Sequence, residues 1–295
     1  MGRSICGSDT QLGNPMKIAI TGATGFIARH LIPILKADHE IIAITRFKNS
    51  TAHYPWLEGV EKVDMDITHP PKEIFTLMGN PDALIHLAWG RLSNYKSPDH
   101  LSEGAMHLLF LNNVIQSGLK NLTVIGTCFE YGMKNGELSE KDITEPSNPY
   151  GLAKDSLQKA LAFLTADKTC VFKWIRLFYL HGEGQNKNSL LSQLDRAIEN
   201  GDALFNMSGG EQLRDYLPVE QVAHNIATIA LQEETTGIIN CCSGKPISIR
   251  KLVENRIKEK SASIGLNLGF YPYPDYEPMA FWGDVAKLHK LMGNS

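Results

Sequence analysis

From residue 17 onward, short runs of β-compatible apolar residues alternate with longer stretches in which apolar positions recur every three or four residues. The short runs predict strands at Lys17–Thr21, Ile41–Thr45, Lys62–Met65, Ala83–Leu87, Leu122–Gly126 and Cys170–Arg176. The periodic stretches predict helices between them, notably Phe26–Leu35 and His100–Gln116. Strand and helix in alternation imply an α/β fold, a Rossmann-type doubly wound parallel sheet with helices on both faces. After Arg176 the texture changes. HGEGQNKNS and NMSGGEQ raise the Gly and polar content, Ser189–Asn200 reads as a helix, and elements shorten towards the Pro-rich loop Tyr271–Pro278. No internal repeat or low-complexity tract interrupts the pattern.

The junction between the first strand and the first helix reads Gly22-Ala23-Thr24-Gly25, with Ala28 three residues further on. Glycine permits positive φ and lets a ligand approach the backbone, while a helix N-terminus offers unpaired N–H groups and a positive dipole end. That spacing suits a phosphate, although a tight strand-to-helix turn would use the same small residues. On parallel sheets ligands sit outside the carboxyl ends of the strands. Gly22–Gly25, Arg46, Asp66, Ala88–Gly90 and Thr127 all follow predicted strands, so one crevice would gather them.

Composition narrows the classes without choosing among them. The 295 residues are 43% hydrophobic and 21% charged, ordinary for a globular protein. A net charge of −3 with no dense Lys/Arg run gives no footprint for nucleic acid. No apolar stretch approaches the ~20 residues that span a bilayer. Cys6, Cys128, Cys170, Cys241 and Cys242 form no C-x-x-C pair, so neither a metal site nor a disulfide framework is expected, and reduced thiols in the cytoplasm are. Residues 1–15 are polar, Gly-rich and aperiodic, and read as a disordered leader or tag ahead of Met16.

Tyr150 and Lys154 lie four apart on a predicted helix, and so share a face. A phenol near pKa ~10 exchanges protons poorly at neutral pH, and a neighbouring ammonium lowers it. Thr127, ending a predicted strand, has a hydroxyl suited to the oxygen that Tyr150 would protonate.

Taken in order, these motifs resemble the extended short-chain dehydrogenase/reductase superfamily, in its nucleotide-sugar epimerase/dehydratase/reductase branch. The resemblance runs from about Lys17 almost to the C-terminus. It is carried by TGATGFIA at 21–28, Asp66-Ile67, HLA at 86–88, Thr127 with Tyr131-Gly132, and Tyr150/Lys154. It continues through Arg176, HGEGQ at 181–185, RDYLPVEQVA at 214–223, and Asn240 with SGKPISIRKL at 243–252. The resemblance implies that Gly22, Gly25 and Ala28 face a pyrophosphate, that Asp66 and Ile67 touch the adenine, and that Phe26, Ile27, Leu87 and Ala88 are further cofactor contacts. It makes Thr127, Tyr150 and Lys154 a catalytic triad, with Lys154 also on the nicotinamide ribose, and sets Arg214 on the diphosphate of a nucleotide sugar. The implied division is a cofactor-binding part over 16–176 and a mainly substrate-binding lobe over 177–295, some segments of which return to the core. A homodimer is also implied.

Where an acidic residue would accept from the ribose hydroxyls of NAD, this chain reads ITRFKNS, with Arg46 and Lys48. Arginine can grip a 2′-phosphate, so NADP(H) is expected before NAD(H). Dehydratases of the family carry Asp-Glu after the catalytic threonine; here Cys128 and Phe129 stand there, with Glu130 one position further. Epimerases of the family keep Asn and Tyr where Tyr179 and His181 stand, and Asn near Glu103. These departures resemble reductases of 4-keto-6-deoxy sugar nucleotides, which make deoxysugars for surface polysaccharides. Nucleotide-sugar 4-epimerisation and a non-catalytic dinucleotide binder are the alternatives. Trp89, Cys128 and Tyr179 are candidate sugar contacts beside Thr127. The nucleotide base is not legible.

Overall fold

In the computed structural model, which describes residues 15–46, 53–167 and 169–293, the strands Lys17–Thr21 (β1), Glu40–Thr45 (β2), Glu61–Asp64 (β3), Ala83–His86 (β4) and Asn121–Thr127 (β5) alternate with helices Phe26–Leu35 (α1), Ile74–Leu77 (α2) and Asp99–Gln116 (α3). Pro149–Leu164 (α4) follows, then the strand Val171–Leu177. A further strand, Gly237–Cys241, completes a seven-stranded sheet in the order 237–241, 171–177, β5, β4, β1, β2, β3. Every adjacent pair in it is parallel. The expected doubly wound sheet is present, and its strand order reverses beside β1.

The apolar runs are continuous because both faces of the sheet are covered. On one face α1 buries Ala28, Leu31, Ile32 and Leu35 against Val222, Ile226 and Ile229 of the helix Val219–Leu231. On the other, Phe110, Leu111 and Val114 of α3 pack with Leu157 and Leu161 of α4 over Leu84, Leu122 and Trp174. The edge strand Gly237–Cys241 joins this sheet from beyond the change of texture at Arg176, where the sequence pattern predicts no strand.

That lobe has its own core, built from Leu191 and Leu194 of the helix Leu190–Glu199, Phe205, Met207, and Leu252 and Val253 of the helix Ile249–Glu259. A three-stranded sheet of Pro246–Ser248, Leu213–Pro218 and Tyr179–His181 joins it to the carboxyl end of the main sheet. Among the described residues no helix is long and apolar enough to cross a membrane.

Candidate functional site

At the β1–α1 junction Gly22 adopts φ +68°, a left-handed conformation that glycine takes freely. A Cβ there would meet the backbone N and Cα of Ala88 at 2.9 Å, so the loop after β4 lies directly against this turn. Gly25 is the N-cap of α1, with no side-chain cap on the helix N-terminus, and its N–H donates to the Gly22 carbonyl at 2.9 Å. The result is a bare, backbone-lined cradle opening a cavity of about 1180 Å³.

The cavity follows the carboxyl ends of β1, β2, β4 and β5. Gly22, Gly25, Phe26, Ile27 and Ala28 form its floor, with Arg46 beyond β2, Asp66 and Ile67 beyond β3, and Leu87, Ala88 and Trp89 beyond β4. Thr127, Cys128, Tyr150, Lys154 and Tyr179 line the other end. Lys48 lies outside the described residues. Asp66 Oδ1 accepts from the Thr68 N–H at 3.0 Å and hydroxyl at 2.7 Å, and this hydrogen bonding, with Arg46 nearby, holds its carboxyl below the usual range.

Arg214 is not on this wall. It is 2% exposed, and its Nε and Nη2 donate to Glu277 Oε2 at 3.3 and 2.8 Å while Nη1 donates to the Leu213 and Met279 carbonyls. Its forked donors are already taken within the lobe, which the sequence could not reveal because Glu277 lies in a distant loop.

β5 delivers Thr127 to the cavity, and the turn after it is fixed from below. Thr127 caps the short helix Cys128–Tyr131, accepting from the Phe129 N–H at 3.3 Å, and Glu130 Oε1 accepts the Thr127 N–H at 2.8 Å. Glu130 is fully buried and also takes the Arg176 Nε–H at 2.6 Å and the Trp174 indole N–H. It is not among the residues that line the cavity. The T-x-x-E pattern at 127–130 carried the capping-box signal for this arrangement.

α4 begins at Asn148, whose side chain accepts the Gly151 N–H at 2.8 Å, and presents Tyr150 and Lys154 one turn apart. Tyr150 sits among aromatic rings: Tyr95 stacks on it at 5.2 Å, and Trp89, His100 and Phe129 lie at 6.0, 5.2 and 6.2 Å. Burial pushes its phenol well above the ordinary value, Tyr95 adds to the rise, and the Thr127 hydroxyl opposes it through a hydrogen bond. The expected lowering by Lys154 is outweighed. Burial brings the Lys154 ammonium down to about 7, against the upward pull of Glu130 and Glu103. Lys154 Nζ donates to the Ile125 carbonyl at 2.7 Å. The Cys128 thiol is pushed up by burial and stays neutral.

Tyr95, Glu103 and His107 also line the cavity. Sequence reasoning assigned none of them a site role: Tyr95 comes from a loop, and Glu103 and His107 carry only an i,i+4 relation on α3. From the lobe come Gln185, Asn186 and Ser189, just ahead of the helix Leu190–Glu199.

Comparison with known proteins agrees with this architecture. A dTDP-6-deoxy-L-talose 4-dehydrogenase (NAD(+)) from Aggregatibacter actinomycetemcomitans is 34% identical over 91% of this chain and 99% of that protein. A GDP-6-deoxy-D-talose 4-dehydrogenase from the same organism is 26% identical over 95% and 92%. Among solved structures, UDP-N-acetylglucosamine 4-epimerase from Methanobrevibacter ruminantium M1, in complex with UDP-N-acetylmuramic acid, superposes with a TM-score of 0.80 at 21% identity, covering 95% of this chain and 92% of that one. Residues 18–242 match the NAD dependent epimerase/dehydratase family, and the chain belongs to that family.

Proposed function

We propose that the protein interconverts a ketone and a secondary alcohol at C4 of a nucleotide-linked 6-deoxyhexose, working towards the alcohol with NADPH. The observation that carries this reading is the meeting of Thr127, Tyr150 and Lys154 in one cavity with the glycine cradle of the β1–α1 turn. The bare N-terminus of α1 and the close backbone approach at Gly22 fit the pyrophosphate of a dinucleotide. A bound nicotinamide supplies or accepts the hydride.

The chain's own residues do the rest. Tyr150 gives its phenolic proton to the developing alkoxide and recovers it in the reverse direction. Its raised proton affinity keeps it in the acid form required for reduction. Thr127 shares a hydrogen bond with Tyr150 and orients the carbonyl oxygen. Lys154, held by the Ile125 carbonyl, contributes positive charge beside the reacting oxygen. Tyr95, Phe129 and Cys128 give the reacting end an apolar surface that suits a methyl group at C6.

Ketone reduction and 4-dehydrogenation of the product are one reaction read in two directions, so the names of the 34%- and 26%-identical relatives support the same bond change. Dehydration has less support, because Cys128 and Phe129 offer neither acid nor base and Glu130 is sealed in its ion pair. Arg46, exposed at the end of β2, supports NADP(H); the NAD(+) in the first relative's name supports the other cofactor, and paired affinities decide between them. The sugar nucleotide would lie towards Tyr179, Gln185 and Asn186, with the cofactor over the part from 16 to 176. α3 and α4 expose Leu101, Leu109, Leu152 and Phe163, which supports a dimer through these helices. Sedimentation of a monomer would remove that assignment.

The test is NADPH oxidation, followed by near-ultraviolet absorbance, with 4-keto-6-deoxyhexose nucleotides generated in place by their dehydratases. Rapid oxidation with one of them is expected and names the base. Interconversion of a nucleotide hexose with no net cofactor change, and no oxidation with any ketone, would replace the reading with 4-epimerisation.

A further inference from the structure

A line of polar side chains runs behind the cavity wall at β1 and β4. Thr21 Oγ1 and His86 Nδ1 are 2.9 Å apart, His86 Nε2 and His107 Nδ1 are 2.7 Å apart, and Glu103 Oε1 lies 3.6 Å from His107 Nε2. Glu103 also accepts the Gly90 N–H, and its Oε2 is shielded from solvent with no hydrogen-bond partner among the described residues. In front of this line stands Trp89. Its ring stacks on His107 at 4.7 Å and 27°, and its indole N–H donates to His100 Nδ1 at 3.2 Å. His100 Nε2 is in turn 3.0 Å from the Asn94 carbonyl. The indole is therefore fixed in plane, in tilt and through the backbone of the next residue.

The Lys154 ammonium lies 3.8 Å from the centre of that ring. Lys154 is 2% exposed, and among the described residues its hydrogen bond is to the Ile125 carbonyl, a neutral acceptor. The charged and titratable groups around it are Glu130 from the turn after β5, Glu103 and His107 from α3, His86 from β4, and Tyr150 on its own helix. The two carboxylates act on it through space, and the buried histidines are held neutral by desolvation. What touches the cation is the negative face of an aromatic ring, an attraction that grows when water is excluded.

We propose that Trp89 is a positioning residue for Lys154: the indole, locked by His107, His100 and the Glu103-held Gly90, carries the ammonium on its π surface and keeps it charged where Tyr150 works. This reassigns Trp89 from sugar contact to support of the lysine. Its consequence for turnover rests on the proposed C4 redox chemistry, whereas the state of Lys154 can be read without any substrate.

The experiment is a ¹⁵N titration of the lysine side-chain nitrogens in the full chain, with Lys154 assigned by its loss in Lys154→Met. Lys154 is expected to titrate well below the surface lysines. Trp89→Leu should move its midpoint down by about one pH unit, and Trp89→Phe, which retains a π face, by clearly less. Should Trp89→Leu fail to fold, biosynthetic replacement of tryptophan by fluorinated tryptophans keeps the shape and drains the ring of charge. The midpoint should then fall with each added fluorine. Trp174, 6.0 Å away, is the second ring within reach, so the fluorine series repeated in Trp89→Phe isolates the Trp89 share. A midpoint unmoved by Trp89→Leu, or by fluorination where that variant does not fold, would overturn the proposal, as would equal shifts in the Phe and Leu variants. A protein that titrates as expected but reduces no ketone would keep this inference and lose the function. In an active protein, the alkaline limb of the kcat/KM profile for ketone reduction should move to lower pH in Trp89→Leu, and by less in Trp89→Phe.

Discussion

Glu130 Oε2 accepts from Arg176 Nε at 2.6 Å with both side chains almost wholly shielded from solvent, and the other oxygen of Glu130 holds the backbone of Thr127. A buried ion pair therefore sits directly under the hydroxyl that is proposed to orient the substrate carbonyl. The Arg176 guanidinium also lies 4.5 Å from the Tyr131 ring, whose hydroxyl donates to Asn240 at 2.7 Å. β5, Val171–Leu177 and Gly237–Cys241 are thereby tied into one polar knot.

Glu130→Ala is expected to lower unfolding free energy by about 3–5 kcal/mol, because it strands the Arg176 charge and unpairs the Thr127 N–H. Glu130→Leu combined with Arg176→Met should cost clearly less than Glu130→Ala. Urea denaturation measures both, and an equal or larger loss in the double variant would mean that the pair itself, not the stranded charge, supplies the stability.

Tyr150→Phe removes one oxygen from a ring held on several sides by aromatic neighbours, so the fold should be unaffected. Turnover should fall about 10²–10⁴-fold while NADPH binding, followed by cofactor fluorescence, changes little. Near-normal turnover would exclude the phenol as the proton donor.

Arg46→Glu places a carboxylate where a 2′-phosphate would lie. NADPH affinity should fall by about 10–100-fold, the value of a charge-assisted hydrogen bond, with NADH affinity held or improved. Equal affinity for both cofactors in the unaltered protein would remove the reason for the NADP(H) assignment.

The Lys154 ammonium is lowered to about 7 in the fold from its ordinary value of 10.5. Between those values the unfolded chain still binds a proton that the folded chain has released, so stability from this group rises with pH across that window and is smallest below it. The slope approaches about 1.4 kcal/mol per pH unit. Urea titrations of the unaltered protein and of Lys154→Met, compared from about pH 7 to about pH 10, should diverge with the unaltered protein gaining. Parallel curves would mean that the lysine is not desolvated in solution.

The β1–α1 turn and the helix pair Tyr150/Lys154 were legible because their signals are local: glycine spacing, period and an i,i+4 step. Phe26–Leu35 is found where the pattern set it, and α3 starts one residue earlier than expected. The pairing of Arg214 with Glu277 was not legible, because the two are 63 positions apart and only the folded lobe brings them together. The effect on Tyr150 was misjudged for a related reason. An i,i+4 lysine announces charge, but the burial that drains that charge depends on α3, β5 and the loop carrying Tyr95. The His86–His107 contact spans 21 positions and two elements, so the pairing of His86, known from the HLA motif, with His107 was not legible in sequence.

The strand Gly237–Cys241 gives the main sheet its last edge from far along the polypeptide. During synthesis, Val171–Leu177 therefore waits with one flank of backbone N–H and C=O groups unpaired while more than fifty residues of the lobe emerge. An apolar, open edge of this kind templates pairing between neighbouring chains. A nascent chain stalled before Gly237 would be held in its most adhesive state, and a truncation ending there should pellet on centrifugation where the full chain stays in solution.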